Sequence, residues 1–420
     1  MRADELARLR PRLVGFTARM LQGAVRRSDQ QVKGELYVRG LLTDGARKSM
    51  QPMAERLGVD HQQLQQFVTS STWDYRLVRA NVARWAADVI DPAGYVIDDS
   101  AFPKVGTASP CVARQYCGTL GKTANCQIGV SVQLATDTAS LAADWRLFCP
   151  PSWDDTTVAD PDKAAEVRRR RDRAGIDEQV RHREKWRLAL DMLDEMILEW
   201  GLPKLPVAAD SGYGDATLFR LGLAERGLHY AVQVDPNATA HPADAVPVTP
   251  PYTGRGRPPK PAYPDPPATF KALVLAAGQN EARPVTWRRG SRRTKTNPTA
   301  AMRSHFLRLR IRPTNRDIPR NGDGTLPEEW LLAEWPPDTD EPVKYWLSNL
   351  DRRTSLKAMV RLAKLRWRVE HDYRELKTGL GIDHFEGRSF IGWHRHVTLT
   401  VLAQAFCTQL RLDPKADAPA

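Results

Sequence analysis

Apolar residues recur at helical spacing through the N-terminal part of the chain, up to about residue 88. Tyr37 and Leu41, for example, lie four residues apart, which places both side chains on one face of a helix. Residues 48–67 show the pattern of a helix, a glycine-containing turn and a second helix. A helix-turn-helix that reads DNA has this pattern. Any compact pair of helices has it too, and the sequence leaves both interpretations open.

The pattern changes near residue 93 to short apolar or alternating runs separated by amphipathic segments. Alternation predicts strands, and apolar residues three and four apart predict helices. The predicted strands cover residues 94–99, 125–134, 142–149, 205–210 and 229–234, and the predicted helices cover residues 186–200 and 216–225. The order β-β-β-α-β-α-β is that of a ribonuclease-H-like core, so we predict an α/β fold of this type.

Two of the predicted strands end in acids, Asp99 on the first and Asp210 on the fourth. In a ribonuclease-H-like arrangement these strand ends lie side by side at the carboxyl edge of the sheet, so we expect the carboxylates to be neighbours. Each acid also has a structural interpretation. Asp98 or Asp99 could cap the turn after its strand, as could Asp210, and Asp215 could be the N-cap of the next helix.

A proline-rich stretch, residues 236–269, interrupts this pattern. Such a composition predicts a loop or linker without a packed core. It contains Arg255 and Arg257 in the sequence Gly-Arg-Gly-Arg-Pro, which resembles the core of an AT-hook, a strip whose arginines enter the minor groove. We therefore predict a DNA contact at these two arginines.

The following residues, 270–350, are predicted to be rich in strands. The strand candidates are residues 270–275, 306–311, 329–335 and 344–349. Between the first two, Trp287, Arg288 and Arg289 belong to a predicted basic turn. An aromatic ring beside cations suits phosphates and a stacked base, and the alternative is a solvated hairpin tip with a half-buried tryptophan.

A run of charged residues surrounds Glu370 near the C-terminus. Arg366, Glu370, Arg374 and Lys377 are spaced so that one helix would carry them on a single face. Such a face can hold a metal with its carboxylate and phosphates with its cations. The alternative is a solvated helix laced with salt bridges.

These patterns divide the chain into five segments. They are a helical N-terminal DNA-binding domain (1–90), the first part of the ribonuclease-H-like core (91–235), the proline-rich linker with a β-rich insertion (236–350), the C-terminal core helices (351–412) and a disordered tail (413–420).

The formal net charge is +12, which favours a polyanionic partner and, with the patterns above, DNA. No run of about 18 apolar residues is present, so no membrane association is expected, and the N-terminus lacks the apolar core of a signal peptide. We expect a cytoplasmic, nucleoid-associated protein. Its five cysteines form no CxxC pair, which favours reduced, mostly buried thiols over a zinc site.

Three acids on these elements suit metal-dependent phosphoryl transfer. Two Mg²⁺ ions about 3.5–4 Å apart activate the attacking oxygen and stabilise the leaving oxygen. Because Mg²⁺ prefers carboxylate oxygens, we assign both the catalytic and the metal-binding roles to Asp99, Asp210 and Glu370, with Mn²⁺ able to substitute. Arg366 and Lys377 would hold the flanking phosphates.

The same residues resemble those of the bacterial insertion-sequence transposases of the DDE superfamily, in the branch with a Tyr-Arg-Glu-Lys signature. Arg366, Glu370 and Lys377 match the spacing of that signature, while Ala363 stands at its tyrosine. The runs Ile97–Lys104 with Val112–Gly118, and Asp210–Asp215, resemble the regions of the first and second acids. By position, the first acid is carried onto Asp99 rather than Asp98.

This resemblance implies an enzyme that cuts transposon ends with Mg²⁺, joins the 3′-hydroxyls to target DNA and acts as a homodimer on paired ends. Relatives carry a β-rich insertion before the last acidic helix, and some stack a flipped base on an insertion tryptophan, for which Trp287 is the candidate here. Two other interpretations remain open: a ribonuclease-H-like nuclease without strand transfer, and a domesticated or inactive relative that only binds DNA.

Overall fold

The computed structural model of the protein describes residues 1–252, 254, 256, 259–290, 293–295 and 297–413. Arg255, Arg257 and the predicted tail from residue 414 onward lie outside the described residues. The chain forms two compact units. The first consists of residues 1–92, 97–203 and 367 onward, and the second of residues 93–96 and 204–366.

The first unit contains nine α-helices and nearly all of four strands among its described residues. Its helices are α1 (Ala3–Leu21), α2 (Ser28–Leu42), α3 (Met50–Leu57), α4 (His61–Thr69), α5 (Tyr75–Ile90), α6 (Pro161–Ala174), α7 (Lys185–Asp194), α12 (Trp367–Arg374) and α13 (Phe390–Leu412). Its strands are β1 (Gly94–Pro103), β2 (Ala113–Cys117), β3 (Lys122–Ala135) and β4 (Ser140–Leu147). Two π-helical segments, Glu195–Glu199 and Glu375–Gly379, extend α7 and α12.

Helix α13 is the centre of the first unit, since it is buried along most of its length and packs against α2, α5 and β4. A buried ion pair joins these elements. Arg79 on α5 donates to Asp144 on β4 at 3.1 Å and to the hydroxyl of Thr398 on α13 at 2.8 Å. Arg146 contacts the same carboxylate at 2.9 Å. Arg146 also forms an ion pair with Glu195, so two cations face two carboxylates and the group can lie inside the core.

The described part of the N-terminal 90 residues is helical apart from turns, as predicted. Helices α3 and α4 are joined by a turn in which Gly58 has φ +66°, a left-handed conformation that favours glycine. Asp60 caps α4 by accepting from the backbone N–H of Gln62. The predicted helix–turn–helix geometry of residues 48–67 is therefore confirmed, and its DNA-reading role stays a prediction.

The second unit contains the remaining elements. Its helices are α8 (Ser211–Gly214), α9 (Thr217–Glu225), α10 (Phe270–Ala277) and α11 (Leu356–Lys364), and its strands are β5 (Val207–Ala209), β6 (Tyr230–Gln233), β7 (Thr239–Pro242), β8 (Ala268–Thr269), β9 (Arg283–Arg289), β10 (Ala301–Pro313), β11 (Glu329–Glu334) and β12 (Lys344–Ser348).

Strand pairing is mixed. In the first unit the order is β2-β3-β1, with β4 also paired to β3, and in the second it is β5-β6-β12-β11-β10-β7-β8, with β9 paired to β10. The pair β5–β6 is parallel, while the other pairs along the second unit's order are antiparallel. The first residues of β1 belong to the second unit, where the N–H of Tyr95 donates to the carbonyl of Pro206 at 2.9 Å. Gly94 permits this approach, since a Cβ there would lie 2.8 Å from that carbonyl.

The structure corrects two predictions about the first unit and adds two elements that were not predicted. Strand β1 does not end at Asp99 but continues to Pro103, because Ala101 and Phe102 are buried and extend its apolar run. The acids therefore lie inside the strand, and their interpretation as turn caps is wrong. Strand β2 and helix α6 were not predicted, since β2 is short and half-exposed and α6 is dominated by arginine.

The proline-rich stretch is also more ordered than predicted. Ala240 on β7 is fully buried, and β7 pairs with β10 and β8. Residues 270–275, predicted as a strand, belong to helix α10, which starts where the side chain of Thr269 accepts from the N–H of Ala272. This N-cap decides the structure of an apolar run that periodicity alone cannot assign.

Within the described residues no helix is both long and apolar enough to cross a membrane. Cys111, Cys117, Cys126 and Cys149 are buried and Cys407 is half-buried, and all five are free thiols. The prediction of mostly buried thiols is confirmed.

Candidate active site

Asp99 carries a partly exposed carboxylate in the middle of β1. Its side chain is 29% exposed, and its Oδ2 lies 2.7 Å from the ammonium of Lys185. Lys185 is the first residue of α7, so the start of that helix supplies a cation to the acid. No local pattern predicts this pair, since the two residues lie 86 positions apart.

Asp98, the residue before it, is in a different environment. It is only 7% exposed, and its Oδ1 accepts from the backbone N–H of Asp99 at 2.9 Å. Successive side chains on a strand point to opposite faces. The more accessible carboxylate that already contacts a cation is therefore that of Asp99.

Tyr373 connects the helix of Glu370 to the strands of the first unit. It follows Glu370 by three residues on α12, and its hydroxyl lies 2.8 Å from the hydroxyl of Ser131 on β3. Burial, reinforced by the negative charges of Asp98 and Asp99, raises the pKa of Tyr373 well above its usual value. The side chain of Tyr373 thus reaches the sheet near the two acids of β1, while helix α12 itself packs against β4. Glu370 is exposed on that helix.

Lys377 binds to the same strand. Its ammonium donates to the carbonyl of Ala101 at 3.1 Å and to the hydroxyl of Thr119 at 2.7 Å, and burial lowers its pKa. Two of its three donors are therefore used within the protein, whereas Arg374 is exposed at the end of α12.

The prediction that one helical face carries all four charged residues is wrong. Arg366 lies in the turn before α12, and Lys377 lies in the π-helical segment that follows it. A π-helix has a wider turn than an α-helix, so the 3.6-residue period assumed for this run does not continue to Lys377. Ala363, which stands at the tyrosine position of the predicted signature, is buried on α11.

Asp210 lies in the second unit, directly after β5 and before α8. Its carboxylate is 31% exposed and lies 3.5 Å from the guanidinium of Arg366. It makes no side-chain capping bond to α8, so the capping interpretation is wrong. Asp215 is not the N-cap of α9 either, because that position is Ala216. Its Oδ1 instead accepts from the N–H of Asp235 at 2.8 Å.

The prediction that Trp287, Arg288 and Arg289 lie in a turn is wrong, since all three lie on strand β9. The two arginines pair in register with Met302 and Ala301 on β10. The tryptophan side chain is half-buried.

Trp287 belongs to an aromatic cage in the second unit. The ammonium of Lys364 lies 4.8 Å from its ring centroid, 5.4 Å from that of Phe306 and 5.3 Å from that of Trp346. Lys364 also forms an ion pair with Glu334, and burial lowers the pKa of Lys364. One contact of the tryptophan is therefore a cation from its own chain.

The predicted acids are divided between the units, with Asp99 and Glu370 in the first and Asp210 in the second. Sequence reasoning missed Lys185, Ser131 and Tyr373. Tyr373 had a signal, since a residue three positions after Glu370 lies on the same side of a helix.

A different group, His371, Asp372 and Glu375, brings three possible metal-ligand atoms within 4.8 Å of one another. Glu375 is already bound by Arg411 at 3.1 Å. Burial raises the pKa of Asp372 to about 6, so its affinity for cations is reduced near that pH.

The donor chemistry of the three predicted acids fits a hard divalent cation. All three offer carboxylate oxygens, the ligands that Mg²⁺ prefers. Asp99 and Asp210 each hold a cationic side chain, Lys185 and Arg366. Both positions therefore attract positive charge in the folded protein.

Residues 20–294 match the model of the DDE superfamily endonuclease family, well over half of the 420 residues. The chain belongs to this family. A probable transposase for the insertion sequence element IS701, from Microchaete diplosiphon, is 35% identical over 96 residues, which are 22% of this chain and 25% of that protein. The chain thus matches about a quarter of that relative's length. The family match includes Asp99 and Asp210 and ends before Glu370.

Proposed function

We propose that this protein is a DNA transposase with a ribonuclease-H-like core, which cuts transposon ends and joins the 3′-hydroxyls to target DNA. The observation that carries the proposal is the contact of Tyr373 with Ser131, because it ties the helix of Glu370 to β3, the strand that pairs with that of Asp99, in a chain of the DDE endonuclease family. The match to the probable IS701 transposase favours transposition over simple DNA cleavage.

The three acids would hold two Mg²⁺ ions through their carboxylates. When bound, such ions supply an activated oxygen nucleophile and stabilise the leaving oxygen. The protein's own part is to position Asp99, Asp210 and Glu370 and to neutralise them before the metals bind. Lys185 and Arg366 do this for the two aspartates.

Phosphate binding is assigned to the cations near Glu370. Arg374 is exposed and suited to a bidentate phosphate contact. Lys377 has one donor left after its two contacts. Arg366 contacts Asp210. We propose that its guanidinium moves from this carboxylate to a DNA phosphate once the carboxylate has bound metal.

The remaining sequence predictions also belong to this proposal. DNA binding by the N-terminal helices, by Arg255 and Arg257, and by Trp287, Arg288 and Arg289 would place the ends in the enzyme. The active form would be a homodimer on paired ends, in a nucleoid-associated cytoplasmic complex. The five-segment division of the chain and the Tyr-Arg-Glu-Lys signature stay part of the proposal.

The test is Mg²⁺-dependent cleavage of DNA that carries the element's own ends. Asp99→Asn, Asp210→Asn and Glu370→Gln preserve side-chain size and remove the charge. We expect each variant to lose cleavage and strand transfer while DNA binding remains. Asp98→Asn is the matched control, because Asp98 is the neighbouring buried acid.

Each other outcome of this test selects an alternative. Cleavage lost in Asp98→Asn but retained in Asp99→Asn would move the first acid to Asp98. Cleavage of the ends without joined products would identify a nuclease that does not transfer strands. Binding of the ends without any cleavage would identify a DNA-binding relative and overturn the proposal.

A further inference from the structure

A groove of about 810 Å³ in the first unit is lined by arginines that the proposed chemistry does not use. They are Arg114 on β2, Arg170 and Arg173 on α6, and Arg388 in the segment before α13. We call this site the arginine groove. It is far larger than a single phosphate ion requires, and it draws its cations from three separate segments of the chain.

Among the residues that the structure describes, none of these four arginines forms an ion pair, although Arg173 donates from Nε to the carbonyl of Arg169 at 3.3 Å. Other arginines on the same helix behave differently. Arg168 and Arg171 lie 3.5 and 3.8 Å from the carboxylate of Asp155. Helix α6 thus uses one set of arginines internally and presents another to the groove.

One acid, Glu166, lines the arginine groove. The charged lining residues therefore sum to +3, from four arginines and one glutamate. Asn125 and Ser152 add neutral hydrogen-bonding groups. Guanidinium groups accompanied by amide and hydroxyl groups form the usual contact set for phosphate oxygens.

Arg170 is held in place in the groove. Its guanidinium lies 4.2 Å from the ring centroid of Trp153. Trp153 is itself buried and donates from Nε1 to the carbonyl of Val112 at 2.7 Å. A stacked guanidinium loses less conformational freedom when it binds phosphate, so this site is partly preorganised for an anion.

We infer that the arginine groove binds the sugar-phosphate backbone of DNA through residues that the proposed chemistry does not use. The inference rests on the proposed function for the identity of the polyanion. The size of the groove and its four uncompensated guanidinium groups favour a chain of phosphates over a single small anion.

The test compares the unaltered protein with variants that lose equal charge. Arg114→Gln/Arg388→Gln removes two exposed groove arginines. Arg169→Gln/Arg316→Gln is the control, since both of its arginines are exposed and neither lines the groove. Binding to a duplex of random sequence is measured by fluorescence anisotropy over a range of salt concentrations. Urea unfolding checks that each variant is folded, since its midpoint should equal that of the wild type.

A plot of log K against log salt has a negative slope, and we expect the groove variant to make it shallower by about 1.8. This is roughly 0.9 for each lost phosphate contact. The control should keep the wild-type slope. Glu166→Gln should bind DNA about two- to five-fold more tightly, because it removes one surface charge that repels phosphate.

Equal slopes for the groove and control variants would overturn the inference. It also fails if the groove variant loses affinity for polyglutamate but not for DNA, since the ligand is then an acidic peptide. A wild-type protein that binds DNA with the full slope but never cuts it contradicts only the proposed function. If the wild type cuts the transposon ends while the groove and control variants show the same salt dependence of DNA binding, only this inference is contradicted.

Discussion

The hydroxyl oxygen of Tyr373 lies 2.8 Å from that of Ser131. This contact joins α12, which carries Glu370, to β3 beside the strand of Asp99. Burial and the two nearby carboxylates raise the pKa of the tyrosine further above its usual value, so its hydroxyl keeps its proton. It therefore acts as a neutral hydrogen-bonding group that fixes the position of the helix.

Replacing Tyr373 by Phe should remove this hydrogen bond and keep the ring packing. We expect a loss of about 1 kcal/mol in the free energy of unfolding, and a loss of roughly tenfold or more in end cleavage as Glu370 is displaced. Urea unfolding and a cleavage assay measure the two effects. The control is Tyr116→Phe, at an exposed tyrosine of the same unit. If Tyr373→Phe cleaves DNA ends as well as this control does, Tyr373 does not position the helix.

The pair of Lys185 and Asp99 gives a prediction about metal affinity. In the proposed function Asp99 binds Mg²⁺, and an ion at this carboxylate has to displace the ammonium of Lys185, which lies 2.7 Å away. A partly exposed pair contributes about 0.5–1 kcal/mol, so Lys185→Gln should lower the Mg²⁺ concentration for half-maximal cleavage about two- to five-fold. The measurement is a Mg²⁺ titration of cleavage, with Arg187→Gln on the same helix as control. An increase in the Mg²⁺ requirement would instead assign Lys185 to substrate binding.

The cage around Lys364 should be needed for stability of the second unit. Lys364→Ala would leave Glu334 buried without its cation and open the space among three aromatic rings. We expect a loss of about 3–5 kcal/mol in the free energy of unfolding. Lys364→Met/Glu334→Gln removes both charges and fills the space, so it should recover most of that loss in urea unfolding. No recovery in the double variant would show that the ion pair itself is what stabilises the unit.

Buried His396 predicts a dependence of stability on pH. Its Nδ1 lies 2.8 Å from the hydroxyl of Tyr37 and its Nε2 lies 3.0 Å from the carbonyl of Gly381, and burial lowers its pKa to about 4. The unfolded chain therefore binds a proton near pH 6.5 that the folded chain does not. This contribution to stability is complete above about pH 6.5 and is lost as the pH falls towards 4.

The measurement is urea unfolding of the wild type and of His396→Asn at two pH values. Between about pH 7 and pH 5 the wild type should lose about 2 kcal/mol more than the variant. The comparison with the variant is needed because Asp372, whose pKa is raised to about 6, changes stability in the opposite direction over this range. An equal loss in both proteins would show that His396 does not control the acid response.

Local sequence patterns were sufficient for much of the secondary structure. The N-terminal helices follow from apolar residues at helical spacing. Strands β3, β4, β6, β11 and β12 follow from short runs of buried, mostly apolar residues. The same reasoning failed for α10, where the cap at Thr269 decides the structure. It also failed for β2, where too few buried residues mark the strand.

The sequence by itself determined which acids and cations to consider, because Asp99, Asp210 and Glu370 stand in recognisable local settings. Only the tertiary structure decided what each one touches. Lys185 reaches Asp99, Tyr373 reaches Ser131 and Arg79 reaches Asp144 across 65 or more positions of the chain. Such contacts depend on how strands and helices pack, and periodicity describes only which face of an element is buried, never which distant side chain will lie against it.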